Sequence, residues 1–235
     1  MNDALKNSVM TTNEFTEKNP KWFYSIEETP ELKILEDNYD IILEELNQLR
    51  KNSENGYWLS TFPTYLHPNS LNKWKVFTFQ FFGIKHPLNC SVCPKTYEIL
   101  KQIPSLVSAD FSYLPPKTRI LAHKGFTKMV LRAHLGLVVP KDCNIRVGEE
   151  TRTWEKGKML IFDDSFDHEA WNDSNEDRFV LMLDIANPNW NYTAKEIGRY
   201  KIETLRDEFM LDLFPKEKWL YFMEKGEFDI FPTKA

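Results

Sequence analysis

Apolar residues near the start of the chain recur with a helical period. Between residues 35 and 49 they are spaced alternately four and three positions apart, which places them on one face of a helix whose other positions are mostly polar. The residues on this face are Leu35, Tyr39, Ile42, Leu46 and Leu49. Thr29 and Pro30 precede them in the order of an N-cap and a first helical residue. We therefore predict a helix that begins at Thr29, ends near residues 52–56 and packs its apolar face against the rest of the protein.

Beyond this helix the dominant period changes to two. Residues 74–81 alternate and are rich in strand formers, which predicts a strand, and residues 94–103 are typical of a second, shorter helix. From residue 109 to residue 187, short apolar runs are separated by turn residues and show no helical period. This pattern favours a meander or jelly-roll barrel. A capping box at residues 193–196 then predicts a C-terminal helix.

The length and composition fit one domain. A chain of 235 residues that is 42% hydrophobic is long enough for one well-formed core, and all-β barrels of this size fold as single units. We predict a loosely ordered N-terminal arm over residues 1–28 and a single, mainly β domain over residues 29–235. Its barrel core spans about residues 109–187 and is flanked by N- and C-terminal helices.

The distribution of charge gives no indication that the protein binds nucleic acid or a membrane surface. The formal net charge is -5 and there is no dense run of lysine and arginine, so nothing predicts binding to nucleic acid or to an anionic membrane surface. Residues 1–15 lack the pattern of a signal peptide, and no apolar stretch reaches the roughly 20 residues that span a bilayer. We expect a cytoplasmic protein without a membrane span that acts on a small molecule or a peptide. The sequence does not indicate an oligomeric state.

The three cysteines are Cys90, Cys93 and Cys143, an odd number that suits reduced thiols better than a disulfide framework. Cys90 and Cys93 have the spacing of a zinc-binding pair, but a structural zinc site needs four ligands and the chain has no second pair. We interpret them as small, partly buried residues at the start of a helix, with Pro94 in its first turn.

Two charged or titratable side chains share one face of a predicted strand at residues 129–138. Alternation places Arg132 and His134 on the same face as Val130, opposite an apolar face. An arginine on the inner face of such a strand is costly to bury unless an anion meets it. That anion is either a protein carboxylate or a bound ligand, and the strand alone does not decide between them.

A turn signal at residues 173–177 lies between two further predicted strands and indicates a hairpin. In the register that this turn implies, His168 lies opposite Met182, and Asn172 lies opposite Arg178. Even-numbered residues of both strands would then share a face, so we predict that His168 and Arg178 point into one cavity.

His123 and Gly125 lie on an extended segment and would point the same way. Non-haem iron(II) oxygenases hold their metal with two histidines and a carboxylate on one face, and the acid normally follows the first histidine by two residues. In this chain that position is Gly125. Without the acid, one more metal position is left to water or a small anion.

Four blocks in this order resemble the aspartyl/asparaginyl β-hydroxylase family of iron(II)- and 2-oxoglutarate-dependent dioxygenases. They are His-Lys-Gly at 123–125, Leu-Arg-Ala-His-Leu-Gly-Leu at 131–137, Glu-Thr-Arg-Thr-Trp at 150–154 and Phe-Asp-Asp-Ser-Phe-Asp-His-Glu-Ala-Trp at 162–171. The resemblance implies a double-stranded β-helix, a jelly-roll barrel like that of the cupins. It also implies a metal held by only two histidines, with glycine in the place of the acid, so Gly125 fits the family.

The resemblance also implies roles for individual residues. His123 and His168 would bind Fe(II), Arg178 with Ser112 would hold the distal carboxylate of 2-oxoglutarate, and Arg132 and His134 would meet the end of 2-oxoglutarate that chelates the metal. O2 would complete the reaction, with hydroxylation of a substrate C–H bond and decarboxylation of 2-oxoglutarate to succinate. Asp163 and Asp164 are expected to fix a turn beside Ser165 rather than to bind metal.

The substrate does not follow from the resemblance. The family's best-known member has an arginine that helps to bind an acidic side chain at the position of Val130, and specificity comes from such pocket contacts. An amino acid, a peptide, a lipid acyl chain or a natural-product intermediate all stay open as substrates. The alternative from another class is a catalytically silent barrel that binds a small dicarboxylate as a sensor or interaction module.

Overall fold

The computed structural model describes residues 20–51, 58–60 and 74–229, and within them the fold is built mainly from antiparallel strands. The strands are β1 (Phe23–Tyr24), β2 (Leu59–Ser60), β3 (Lys75–Phe81), β4 (Ile84–Lys85), β5 (Leu106–Leu114), β6 (Thr118–His123), β7 (Val130–Val138), β8 (Cys143–Val147), β9 (Glu150–Thr153), β10 (Met159–Phe162), β11 (His168–Asn172) and β12 (Arg178–Ala186). The strand predicted over residues 74–81 is confirmed as β3.

The strands form two sheets. The larger sheet has the order β1-β10-β7-β12-β5-β3-β2, with β4 paired to β3, and the smaller sheet has the order β6-β11-β8-β9. Strands β5 to β12 pass back and forth between the sheets, with β8 and β9 both in the smaller one. This arrangement is the predicted double-stranded β-helix, and it spans residues 106–186, close to the predicted core.

The predicted hairpin between β11 and β12 is wrong. His168 pairs with His123 on one side and Val147 on the other, whereas Arg178 pairs with Leu114 of the larger sheet. The intervening turn is closed by the side chain of Asn172, whose amide donates to the carbonyls of residues 114, 115 and 176. The chain therefore crosses from one sheet to the other at this point, and His168 and Arg178 approach the barrel interior from opposite walls.

Helices cover the outer face of the larger sheet and one end of the barrel. They are α1 (Lys33–Asp37), α2 (Tyr39–Lys51), α3 (Pro87–Val92), α4 (Pro94–Leu100), α5 (Ala194–Arg199), α6 (Glu208–Leu213) and α7 (Lys216–Lys225). None of the helices in the described parts of the chain combines the length and apolar character that crossing a membrane requires. The capping box at the start of α5 is confirmed, because the Thr193 hydroxyl and the Glu196 carboxylate each accept from the other's backbone N–H.

The helix predicted from Thr29 is present but broken. A 3-10 turn at Pro30–Leu32 leads into α1, and α2 begins only after Asn38, whose side-chain amide donates to the Ile34 carbonyl at 2.8 Å. Four of the five residues on the predicted apolar face of this helix are buried, and the fifth, Tyr39, is partly buried. The predicted end near residues 52–56 lies outside the described residues. The second predicted helix is α4, which ends at Leu100 rather than at residue 103.

The N-terminal arm predicted over residues 1–28 is wrong from residue 20 onward. Phe23 and Tyr24 pair with Phe162 and Ile161 and so extend the larger sheet. The Trp22 carbonyl accepts from the backbone N–H of Asp163 at 3.0 Å. This segment is fixed because its aromatic side chains bury apolar area against the barrel. Residues 1–19 lie outside the described residues.

The apolar core has three parts. One lies between the larger sheet and helices α1 to α4, a second fills the barrel, and a third joins the open end of the barrel to helices α5 to α7. The cysteines lie buried as thiols, and burial raises the pKa of both Cys90 and Cys93 to about 12. These two thiols are structural residues of the first part.

Candidate active site

The two histidines predicted to bind metal lie side by side in the smaller sheet. His123 ends β6, His168 begins β11, and the two are paired across the strands with ring centroids 4.2 Å apart. The ladder is irregular just after His168, as is common where a strand aims a side chain into a site.

Each histidine ring is oriented by a backbone carbonyl two residues earlier in the chain. The Nδ1 atom of His123 lies 2.7 Å from the Leu121 carbonyl, and that of His168 lies 2.9 Å from the Phe166 carbonyl. A carbonyl only accepts, so Nδ1 carries the proton and donates, and Nε2 is the nitrogen with the lone pair. Metal-binding histidines commonly use this second contact to fix their orientation.

The protonation state of His123 and His168 is compatible with metal binding. Burial is the main reason that the pKa of His123 is lowered to about 4, and it lowers the pKa of His168 to the same value. Both rings are therefore neutral at pH 7, which is the form that binds metal. Within residues 20–51, 58–60 and 74–229 no cluster of three histidine, cysteine or acidic side chains is placed to hold a metal.

Gly125 is packed against Asp164. Its backbone N–H donates to the Asp164 carbonyl at 2.6 Å, and a Cβ atom built at Gly125 would lie 2.4 Å from Asp164 Oδ1. An acid at residue 125 has no room, because the carboxylate of Asp164 already fills that volume. Asp164 Oδ1 is buried and has no hydrogen-bond partner in the described structure.

The expectation that Asp163 and Asp164 both fix a turn is confirmed for Asp163, whose Oδ1 accepts from the Ser165 backbone N–H at 2.9 Å. Asp164 differs, because its carboxylate faces the barrel interior, and Oδ2 lies 3.2 Å from Nη2 of Arg132.

We expect Gly125→Ala to lower the free energy of unfolding by roughly 1–3 kcal/mol, since the added methyl group must displace the Asp164 carboxylate. Chemical denaturation would measure the loss. In an Asp164→Ala background the same glycine substitution should cost clearly less, because the obstructing group is gone. Equal costs in both backgrounds would contradict the packing argument.

Arg178 is a buried cation that has no carboxylate partner among the described residues. It is 2% exposed, its guanidinium lies 5.0 Å from the ring centre of Trp154, and its Nε and Nη1 atoms have no hydrogen-bond partner among the described residues. Burial lowers its pKa to about 10. No carboxylate in the described ranges forms a salt bridge with it, and such an arrangement is costly unless an anionic ligand binds there.

His134 adds another donor. The Trp154 indole N–H donates to His134 Nδ1 at 3.1 Å, so the ring proton is on Nε2. This Nε2 atom is buried and has no partner in the described structure, and burial keeps the pKa of His134 well below its usual value. Trp154 thus contacts both Arg178 and His134. Arg178 and His134 each have a buried N–H group without a hydrogen-bond acceptor in the described structure.

Ser112 lies on β5, which pairs with β12 next to Arg178. Its hydroxyl is buried and accepts from the Trp74 indole N–H at 2.9 Å, so the hydroxyl proton can be donated to another acceptor. Alternation along β5 and β12 places Ser112 and Arg178 on the same face of the larger sheet, in neighbouring rows.

Arg132 differs from Arg178. Its Nε lies 2.6 Å from Asp184 Oδ1, in addition to its contact with Asp164, so its charge is balanced by protein carboxylates. Of the two kinds of anion that the sequence left open for Arg132, a protein carboxylate and a bound ligand, the structure contains the protein carboxylate.

Asp184 was missed by the sequence analysis, although it shares the even-numbered face of β12 with Arg178. Trp154 belongs to the block at residues 150–154 that carries the family resemblance, but neither it nor Trp74 was assigned a role in the site.

Comparison with known proteins places these features in one family. The family profile described as aspartyl/asparaginyl beta-hydroxylase matches residues 36–188, which is more than half of the chain. An ornithine lipid ester-linked acyl 2-hydroxylase from Rhizobium tropici is 42% identical over 49% of this chain and 42% of its own length. The human aspartyl/asparaginyl beta-hydroxylase is 40% identical over 49% of this chain and 16% of its own length.

A third relative, the mouse aspartate beta-hydroxylase domain-containing protein 2, is 37% identical over 68% of this chain and 48% of its own length. The chain therefore spans less than half the length of these relatives. The matched segment includes both histidines, both arginines and the Gly125–Asp164 contact. The chain belongs to the aspartyl/asparaginyl β-hydroxylase family.

Proposed function

We propose that this protein is an Fe(II)- and 2-oxoglutarate-dependent dioxygenase that hydroxylates a C–H bond of a small or peptidyl substrate. The observation that carries the proposal is the set of buried, unmatched donors on Arg178 and His134 in the barrel that also holds the neutral pair His123 and His168. A dicarboxylate that chelates a metal at one end would satisfy both halves of this site.

His123 and His168 would hold the metal through their Nε2 atoms. Iron(II) and 2-oxoglutarate, when bound, supply the chemistry by which O2 gives one oxygen atom to the substrate C–H bond and the other to succinate, with loss of CO2. Because residue 125 carries no side chain, it would not supply a metal ligand, and the Asp164 carboxylate beside Gly125 would be available as a hydrogen-bond acceptor for water bound there.

Arg178 would bind the distal carboxylate through two parallel N–H groups, with the Ser112 hydroxyl as a further donor. The Trp154 ring holds the guanidinium in place from one side. His134 Nε2–H would donate to the chelating end of 2-oxoglutarate. Arg132 would add positive charge at this end while Asp164 and Asp184 fix its orientation.

Hydroxylation of a lipid acyl chain is the second candidate within the same reaction class. It is favoured by the relative whose name specifies an acyl chain, and by Val130, which is fully buried in an apolar cluster and adds no charge next to Arg132.

Anaerobic addition of iron(II) and then 2-oxoglutarate should produce the visible charge-transfer absorption of the metal chelate. His168→Ala should abolish the band because one of two protein ligands is lost. His86→Ala is the matched control, since His86 is equally buried but caps helix α3 outside the barrel. A folded parent protein with a flat spectrum would favour the catalytically silent barrel.

A further inference from the structure

A cavity of about 140 Å³ opens next to the histidine pair and holds an excess of acid. His123 and Gly125 form one side of it, and its walls include the aromatic rings of Trp74, Phe82 and Phe126. Four carboxylates also line the cavity, and three of them are buried, those of Asp110, Asp164 and Asp184; the fourth is that of Asp207.

Two of the three cations that line the cavity, Arg132 and Lys201, have carboxylate partners, whereas the exposed Lys124 forms no salt bridge with a described residue. Arg132 is paired with both Asp164 and Asp184. Lys201 lies at the rim, where its Nζ is 3.3 Å from Asp207 and 4.2 Å from the ring centre of Phe126. An anionic substrate would therefore have to displace a protein carboxylate before it could pair with Arg132 or Lys201.

The positive charge of Arg132 acts on Asp110 and lowers its pKa, but the two side chains form no salt bridge in the described structure. The Asp110 carboxylate accepts from the Thr78 hydroxyl, and no lysine or arginine in the described parts of the chain lies within salt-bridge distance of it. Burial raises its pKa to about 7, and the neighbouring Asp184 adds to that effect. A positive group that bound beside Asp110 would favour its ionised form and offset its burial.

Asp164 provides a second and independent observation. Its side chain is nine-tenths or more buried, lines the same cavity, and carries an oxygen atom without a hydrogen-bond partner in the described structure. Asp164 lies at the metal end beside Gly125, whereas Asp110 lies on β5 in the opposite sheet. The cavity therefore has carboxylates on both walls, and aromatic rings also line it.

We infer that the substrate enters this cavity with a cationic group, an ammonium or a guanidinium, which is received by Asp110 and by the aromatic walls. The inference rests on the proposed function, because it names the substrate class of that same site. Aromatic faces and a carboxylate together are a common means of binding organic cations. The carbon that is hydroxylated would lie between the cationic group and the metal.

The test uses three probes of equal chain length that differ in charge: pentylammonium, pentanol and pentanoate. Protein loaded with Mn(II) in place of iron, together with 2-oxoglutarate, should enhance the proton relaxation of pentylammonium at least tenfold more than that of the other two. Asp110→Asn keeps the size of the side chain and should reduce the enhancement at least fivefold. Asp177→Asn makes the same charge change at a residue that is hydrogen-bonded to Tyr113 and does not line the cavity, and it should have no effect.

Equal or stronger enhancement for pentanoate or pentanol, or no change in Asp110→Asn, would overturn the inference, and a preference for pentanol would favour an uncharged acyl chain. Amide chemical shifts of β5 in metal-free protein give a readout that does not depend on the metal: they should move with pentylammonium and stay fixed with pentanoate. Failure of Mn(II) or 2-oxoglutarate to bind contradicts the proposed function, while the metal-free shifts still decide the inference. If Asp110→Asn does not fold, Asp110→Ser replaces it.

Discussion

Arg178→Leu should abolish tight binding of 2-oxoglutarate, with an increase in Kd on the order of a hundred- to thousandfold. The substitution removes a buried charge partner worth roughly 3–5 kcal/mol. The stability of the ligand-free protein should be unchanged or higher, because a buried cation that has no salt bridge to a described residue gives way to an apolar side chain. Calorimetric titration of the metal-loaded protein would measure the first effect and chemical denaturation the second.

Arg119→Ala is the control for this experiment, since Arg119 is about half exposed and pairs with Asp173 on the surface. It should leave the Kd for 2-oxoglutarate unchanged. An unchanged Kd in Arg178→Leu would refute the assignment of Arg178, and a large loss of stability would show that the arginine has a structural role instead.

Metal affinity should stay nearly constant from about pH 7 to about pH 5. Protons compete with metal only when the histidines are charged, and the pKa of both His123 and His168 is lowered to about 4. An exposed pair with the ordinary pKa of about 6.5 would instead lose affinity on the order of a thousandfold by about pH 5. The loss here should begin only near pH 4 and steepen below it. Co(II) absorbance, followed as a function of pH, would give these affinities.

A decline that starts near the ordinary histidine pKa, with two protons taken up per metal released, would show that the rings are more solvated than their burial implies. His86→Gln is a suitable reference, because His86 also has a pKa of about 4 through burial but does not face the barrel. Its substitution should leave the metal profile unchanged.

The pattern of short apolar runs and turn residues favoured a meander or jelly-roll barrel, and the family resemblance added the double-stranded β-helix, but the pattern could not determine which strands pair. In a jelly roll, strands that are neighbours in sequence lie in opposite sheets, and both sheets have the same inward alternation. The turn at residues 173–177 therefore looks like a hairpin in sequence although β11 and β12 are not paired. The alternation of odd- and even-numbered residues between the two faces of each strand still placed His168 and Arg178 on inward-facing positions.

The charge balance of the site was less predictable than its residues. Arg132 and His134 could be placed on one face from strand period alone, and the family resemblance supplied the candidate ligands. Nothing local in the sequence could show that Arg132 is paired with Asp184, 52 residues away, while Arg178 forms no salt bridge with any described carboxylate. Such pairing depends on strand register and sheet order, which are set by the whole fold.

The short strand β1 has a consequence for how the domain is delimited. Phe23 and Tyr24 cover the edge of β10 in the larger sheet, while the indole of Trp22 lies against Gly148 at the turn between two strands of the smaller sheet. A recombinant fragment that began at residue 29 would leave the backbone of β10 open to pairing with another molecule, and open edges of this kind promote aggregation. The folding unit therefore includes residues from Trp22 onward, well before the first residue of the family match.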